Sequence, residues 1–92
     1  MISEQDKAII VDIARKYNVS QVLLFGSGTD SAKKVNDIDL AVEGINPAEF
    51  FDFYGDLLFS LSKPVDLIDL SNRNKFSRLV YREGIRLYGR NQ

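Results

Sequence analysis

The chain has 92 residues, a length that corresponds to one domain around one core. It contains no Cys and no His, which excludes disulfides, thiolate zinc sites and Ser-His or Cys-His catalysis; carboxylates, Lys, Tyr and bound metal remain as the available chemistry. The formal net charge of -1 argues against broad attraction to nucleic acid, because that attraction depends on clustered Lys and Arg.

A helix followed by a short strand is predicted at the start of the chain. Ser3 is suited to cap the helix, Asp6 completes a capping box, and apolar residues recur at helical spacing to about residue 17. Asn18 is a plausible stop. The apolar run 21–25 then predicts a strand that is buried on both faces.

A second strand is predicted after a polar interval. Gly26-Ser27-Gly28 interrupts the first strand, and residues 29–36 have no clear period, so we expect a loop or a frayed helical turn. Residues 37–43 then alternate as a strand does.

The second half of the chain predicts helix, strand, helix, strand. Asn46 as N-cap, Pro47 at the first helical position and Glu49 at the third indicate a helix start. The apolar stripe of this helix is expected to comprise Phe50, Phe51, Tyr54, Leu57, Leu58 and Leu61. The later elements are a strand at 65–69, a helix at about 75–83 and a last edge strand at 85–88.

Two further expectations concern the surface. Phe53, Phe59 and Tyr81 fall off the cleanest apolar stripes and are candidates for a partner surface. No run approaches the roughly 18 apolar residues of a membrane helix, and the first residues lack the basic and apolar regions of a signal peptide. We therefore expect a cytoplasmic location.

Asp37 and Asp39 stand in an otherwise apolar strand, where Asp is disfavoured. Because side chains alternate across a sheet, the two carboxylates are expected on one face, with Cα atoms roughly 6.5 to 7 Å apart. Across that separation they can lean together onto one or two divalent cations. Taken alone, the pair also fits the solvent-facing side of an edge strand.

The turn Gly26-Ser27-Gly28 could bind phosphate, because a small turn exposes backbone N–H groups and a hydroxyl to a phosphate oxygen. A tight turn after a strand is Gly-rich in many proteins, so a purely structural role stays open. The turn is neither a Walker loop nor a dinucleotide fingerprint, since it lacks the Lys of the first and the third glycine of the second.

Asp66 is a third acid inside a predicted strand. If that strand lies beside the strand of Asp37 and Asp39, Asp66 projects from the same face and completes a carboxylate triad. Asp69 is the rival, but it stands at the strand exit, where Asp often makes a turn.

These motifs together identify a family resemblance. Leu24-Phe25-Gly26-Ser27, followed after nine residues by Asp37-Ile38-Asp39-Leu40-Ala41-Val42, resembles the pattern of the DNA polymerase beta-like nucleotidyltransferase superfamily. Within it, the chain is similar to the minimal nucleotidyltransferases of prokaryotes, over nearly its whole length. The resemblance implies an α+β fold: a small mixed sheet of about four strands, with helices packed on one side. Residues 28–31 depart from the usual family loop, in which a small or basic residue and a further glycine commonly follow the Gly-Ser.

The resemblance also implies an activity and a partner. Family members transfer a nucleoside monophosphate, usually from ATP, to an acceptor. By resemblance, Asp37, Asp39 and Asp66 are the catalytic and metal-binding residues for two Mg2+ ions, and Gly26, Ser27 and Gly28 contact the triphosphate. Minimal nucleotidyltransferases typically pair with a small helical HEPN protein as the antitoxin of a toxin-antitoxin module. The resemblance therefore implies that this chain adenylylates a toxin. The alternative is a module of the same fold that neutralises its partner by binding alone.

Overall fold

The computed structural model describes residues 2–26, 37–71 and 73–89. Within these ranges the chain forms α1 (Glu4–Lys16), β1 (Gln21–Phe25), β2 (Ile38–Glu43), a 3-10 turn (Pro47–Glu49), α2 (Phe50–Ser60), β3 (Val65–Asp69), α3 (Lys75–Glu83) and β4 (Ile85–Gly89). The predicted order of elements is confirmed for the described residues. The predicted loop at 29–36 lies outside them.

The four strands form one mixed sheet in the order β3-β2-β1-β4. β1 pairs antiparallel with both β2 and β4, whereas β2 and β3 are parallel. Parallel neighbours need a crossover, and α2 supplies it. The predicted α+β class, with a small mixed sheet, is thus confirmed, and β4 is an edge strand as expected.

Helices cover both faces of this sheet. On one face, α1 and α2 pack over a core that includes Val22 and Leu24. On the other face, α3 places Val80 against Leu23 and Ala41. β1 is therefore buried on both faces, as predicted. The resemblance implied helices on one side of the sheet only, whereas α3 covers the other side as well.

Polar residues mark both ends of α1. The Ser3 hydroxyl accepts a hydrogen bond from the Asp6 backbone N–H (3.0 Å), and Asn18 adopts the left-handed conformation (φ 56°) that stops the helix. The Asp6 carboxylate accepts hydrogen bonds from the backbone N–H (3.3 Å) and the hydroxyl (2.6 Å) of Ser62. This carboxylate thus joins the start of α1 to the chain just after α2.

The predicted apolar stripe of α2 is confirmed in part: Leu57 and Leu61 are buried, and Phe50 and Tyr54 pack against the core. Phe53 is fully buried, so it is not part of a partner surface, whereas Phe51 and Leu58 of the predicted apolar stripe are 81% and 50% exposed. Phe59 is 95% exposed, as expected, and Tyr81 is half-buried.

The composition of α2 explains the error about its buried side. The helix is apolar around most of its circumference, so periodicity alone permits more than one buried face. In the folded chain the ring of Tyr17 meets Phe53 edge-to-face, with centroids 5.4 Å apart, and this contact lies on the buried side of α2.

In the described part of the chain, no helix is long and apolar enough to cross a membrane.

Candidate functional site

A row of three residues crosses the sheet where β1 ends. Asp39 of β2 pairs with Asp66 of parallel β3 on one side and with Phe25 of antiparallel β1 on the other. Neighbouring strands lie about 4.8 Å apart and paired residues project from the same face. The carboxylates of Asp39 and Asp66 therefore stand side by side, on the sheet face that α3 covers further along.

Burial and neighbouring carboxylates both act on Asp39. Burial raises the pKa of the Asp39 carboxyl above its ordinary value of 3.8, and the negative charges of Asp66 and Asp37 and a hydrogen bond with Asp66 raise it further. Asp39 is half-buried and Asp66 is exposed, which explains why burial dominates at Asp39. A proton or a cation shared by this pair would relieve the repulsion.

Asp37 lies just before β2, since the strand begins at Ile38 rather than at Asp37 as predicted. It is exposed, and its charge still reaches Asp39, whose pKa it helps to raise. The rival acid Asp69 accepts a hydrogen bond from the backbone N–H of Ser71 (2.9 Å), which is the turn-forming role considered for it.

Gly26 brings the backbone against Asp39. Its φ of +70° is in the left-handed region, and a Cβ atom placed there would lie 2.5 Å from Asp39 Oδ2. Only a glycine allows the chain to pass this close to the carboxylate without strain. Ser27 and Gly28, the other predicted phosphate-binding residues, lie outside the described residues.

The donor set suits a hard divalent cation, because Mg2+ prefers carboxylate oxygens. In the ranges that the structure describes, however, no group of three or more Asp, Glu, His or Cys side chains is arranged to hold a metal ion. Asp39 and Asp66 are thus an adjacent pair of metal-type ligands, with Asp37 nearby on the chain.

A separate polar cluster lies at the opposite end of β2. Glu43 accepts hydrogen bonds from Gln21 Nε2 (2.6 Å) and from the Tyr81 hydroxyl. The bond from Tyr81, followed by that from Gln21, lowers the pKa of Glu43 below its ordinary 4.5. Burial, followed by the bond to Glu43, raises the pKa of Tyr81 to about 12. Sequence reasoning did not find this cluster, which depends on the packing of α3 over the sheet.

Sequence reasoning also missed a cavity beside Asp39, between α3 and the end of β1. Its lining residues are Phe25, Gly26, Phe76, Leu79, Val80 and Glu83. The four on α3 follow the i, i+3, i+4, i+7 spacing of one helix face, so their shared face could have been found in the sequence.

A mixed sheet with adjacent acids beside a glycine turn defines a nucleotidyltransferase-type domain. Residues 8–92 match the family model described as Polymerase beta, Nucleotidyltransferase. The chain therefore belongs to this nucleotidyltransferase family, and the predicted family is confirmed.

Solved structures of toxin-antitoxin pairs are similar to the chain. A crystal structure of a toxin-antitoxin with AMP-PNP is 25% identical, with a TM-score of 0.73 over 94% of this chain and 75% of that chain. The complex of a tri-AMPylated Shewanella oneidensis HEPN toxin with its MNT antitoxin is 23% identical, with a TM-score of 0.68 over 91% and 70%. The toxin-antitoxin MntA-HepT is 22% identical, with a TM-score of 0.70 over 95% and 73%. At these two lower identities the likeness concerns the fold. No curated protein sequence matches the chain significantly.

Proposed function

We propose that this protein transfers AMP from ATP to an acceptor on a HEPN-type partner protein, as the antitoxin of a toxin-antitoxin pair. The observation that carries the proposal is the placement of Asp39 and Asp66 side by side, with the left-handed Gly26 against Asp39. This arrangement combines adjacent acids with a backbone that approaches them closely, as phosphoryl chemistry requires.

In the proposed reaction an acceptor oxygen attacks the α-phosphorus of ATP. A new O–P bond forms, the bond from the α-phosphorus to the oxygen that bridges it to the β-phosphate breaks, and pyrophosphate leaves. The Asp66 carboxylate takes the acceptor proton, because it is exposed on edge strand β3, where a partner can approach. Gly26, with Ser27 and Gly28, positions the triphosphate on the β1 side.

Mg2+ is the cofactor that this chemistry requires, and Asp37, Asp39 and Asp66 are the residues that would hold it. When bound, divalent metal neutralises the charge of the triphosphate and of the leaving pyrophosphate. Burial is the largest cause of the raised pKa of Asp39, and the negative charges of Asp66 and Asp37, which a cation would offset, raise it further.

The comparisons support the nucleotide and the partner. One similar structure is a toxin-antitoxin with AMP-PNP, an ATP analogue, and another contains an AMPylated HEPN toxin bound to an MNT antitoxin. By analogy, we propose that the partner of this chain supplies the acceptor.

A mass measurement tests this proposal. The chain and its co-purifying partner are incubated with ATP and Mg2+, and the partner is expected to gain the mass of an adenylyl group. If the authentic partner gains no such mass and no ATP is consumed, the enzymatic proposal is wrong.

Asp66→Asn and Asp69→Asn form a matched pair of variants. Both lie on β3 and both replace a carboxylate by an amide of the same shape. We expect Asp66→Asn to abolish the adduct while still binding the partner, and Asp69→Asn to retain the adduct. The reverse result would assign the third carboxylate role to Asp69.

The second candidate function is neutralisation by binding alone, and one surface favours it. The outward face of α2 carries Phe51, Leu58 and Phe59, with exposures of 81%, 50% and 95%. Gly55 lies on the same face, and a Cβ atom there would meet nothing within 4 Å. Exposed apolar faces of this kind are typical of protein-binding surfaces.

The variant Asp39→Asn separates the two candidates. If the protein acts by transfer, this variant binds the partner but does not neutralise it. If it acts by contact, the variant neutralises the partner as well as the original chain does, and Phe59→Lys instead loses both binding and neutralisation.

A further inference from the structure

The cavity between α3 and the end of β1 is directly connected to the carboxylate site. Phe25 and Gly26 belong to both: Phe25 is the strand partner of Asp39, and Gly26 lies against its carboxylate. The cavity has a volume of about 370 Å3. This volume falls within the range of about 300 to 1,000 Å3 that is usual for small-molecule sites. Hollows of about 400 and 380 Å3 elsewhere on the chain are similar in size, so the position beside Asp39 distinguishes this cavity from them.

The walls of the cavity are apolar and aromatic. The rings of Phe25 and Phe76 meet edge-to-face, with centroids 5.8 Å apart. Phe76 and Leu79 are nevertheless 49% and 44% exposed. Two large apolar side chains are thus exposed in a concave space. A flat, weakly polar group can cover such a surface.

The charge distribution decides which part of a nucleotide the cavity can accept. Glu83 is the only charged side chain among the described residues that line it, and one of its carboxylate oxygens also pairs with Arg82 Nε at 3.4 Å. A carboxylate repels phosphate and accepts hydrogen bonds from N–H groups. The apolar walls favour a group that is apolar on its faces, and the second Glu83 oxygen favours one that carries an N–H donor at its edge. The triphosphate fits better outside, beside Gly26.

We propose that this cavity binds the base of the nucleoside triphosphate, and that Glu83 favours a base with an exocyclic amino group such as that of adenine. The inference rests on the proposed function, which places the triphosphate at Gly26 and the acceptor at Asp66. Along the row Asp66–Asp39–Phe25, the cavity lies on the side of Phe25, away from the acceptor side. The base and the acceptor therefore approach the carboxylates from opposite directions.

Binding of ATP and of inorganic tripolyphosphate, each with Mg2+, tests the proposal. Tripolyphosphate has no base, so it reports on the phosphate site alone. We expect Phe76→Ala and Leu79→Ala each to weaken ATP binding about tenfold, the loss typical of one base–side-chain contact, and to leave tripolyphosphate binding unchanged. The control Phe59→Ala, which removes an exposed ring from α2, should change neither.

The amino-group preference has its own measurement. Purine riboside triphosphate lacks the amino group of ATP but keeps the purine ring. The original chain should bind ATP more tightly than this analogue, whereas Glu83→Ala should bind the two equally.

The outcomes separate this inference from the proposed function. If the original chain transfers AMP but Phe76→Ala and Leu79→Ala bind ATP normally, the base lies elsewhere and only the present inference is wrong. Equal weakening of ATP and tripolyphosphate in both variants would also overturn it, because the phosphate site would then be affected. If the original chain binds neither compound, the proposed function itself is wrong and this inference falls with it.

Discussion

Substitution of Gly26 by Ala tests the link between the glycine turn and the carboxylate pair. Ala at φ +70° costs about 1 to 2 kcal/mol, because an L side chain is strained in the left-handed region. The new Cβ would start 2.5 Å from Asp39 Oδ2, whereas ordinary contacts begin at 3.4 Å, so the carboxylate must retreat by about 1 Å. Since that carboxylate is the end of a side chain, Asp39 turns aside and the backbone keeps its course.

The expected result is therefore a modest loss of stability and a large loss of transfer. A displacement of about 1 Å at a reacting centre can reduce the rate roughly 100-fold. Urea unfolding measures the first quantity, and the rate of adduct formation on the partner measures the second.

Gly44→Ala is the matched control for this substitution. Gly44 also has a positive φ (+82°), and its new Cβ would lie 2.3 Å from Ser20 Oγ and 2.9 Å from the Ser20 backbone nitrogen. Because backbone must move there, we expect Gly44→Ala to lose at least as much stability as Gly26→Ala, while its folded fraction transfers AMP at the original rate. Equal rates for the two variants would refute the role assigned to Gly26.

Three further predictions concern stability. Asp6→Ala should lower the free energy of unfolding by about 1 to 3 kcal/mol in urea titrations, because two hydrogen-bond donors after α2 lose their acceptor; an unchanged midpoint would contradict this. Phe53→Ala should cost about 3 to 5 kcal/mol, whereas Phe59→Ala should stay within about 0.5 kcal/mol, since the first side chain is fully buried and the second is 95% exposed. Tyr81→Phe should flatten the pH dependence of stability at both ends. The lowered pKa of Glu43 adds stability above its ordinary 4.5 that is lost as the pH falls below it, and the raised pKa of Tyr81 adds stability below pH 10 that is lost between 10 and about 12. Thermal unfolding from pH 3 to 12 measures this, and identical curves for the two chains would be inconsistent with it.

The strand pattern allowed part of the arrangement of the candidate site to be predicted. Alternation assigned Asp39 to the face opposite Ile38 and Leu40, and Asp66 was expected beside it if the two strands were neighbours. That condition was not determined by either strand alone, because strand order is a property of the whole sheet. In the structure, β2 and β3 pair in parallel, so the two strands are neighbours and Asp66 lies beside Asp39.

Other features were beyond local patterns. The buried side of α2 depends on the contact between Phe53 and Tyr17, residues far apart in the sequence. The bonds from Asp6 to Ser62 and from Tyr81 to Glu43 join residues 56 and 38 positions apart. Helical and strand periodicity describe a single element, so they cannot predict contacts that form only when elements pack.

The edge position of β3 makes the proposed site sensitive to partial unfolding. Among the described residues, β2 is the only strand that pairs with β3. Release of β3 therefore breaks one set of interstrand bonds and withdraws Val65 and Leu67 from the core, while the other two pairings of the sheet stay in place. Such local opening requires less free energy than global unfolding. It would carry Asp66 away from Asp39 while the rest of the chain stays folded. Conditions that loosen this edge should thus switch off transfer well before the protein denatures, and hydrogen exchange at β3 amides should follow the loss of activity.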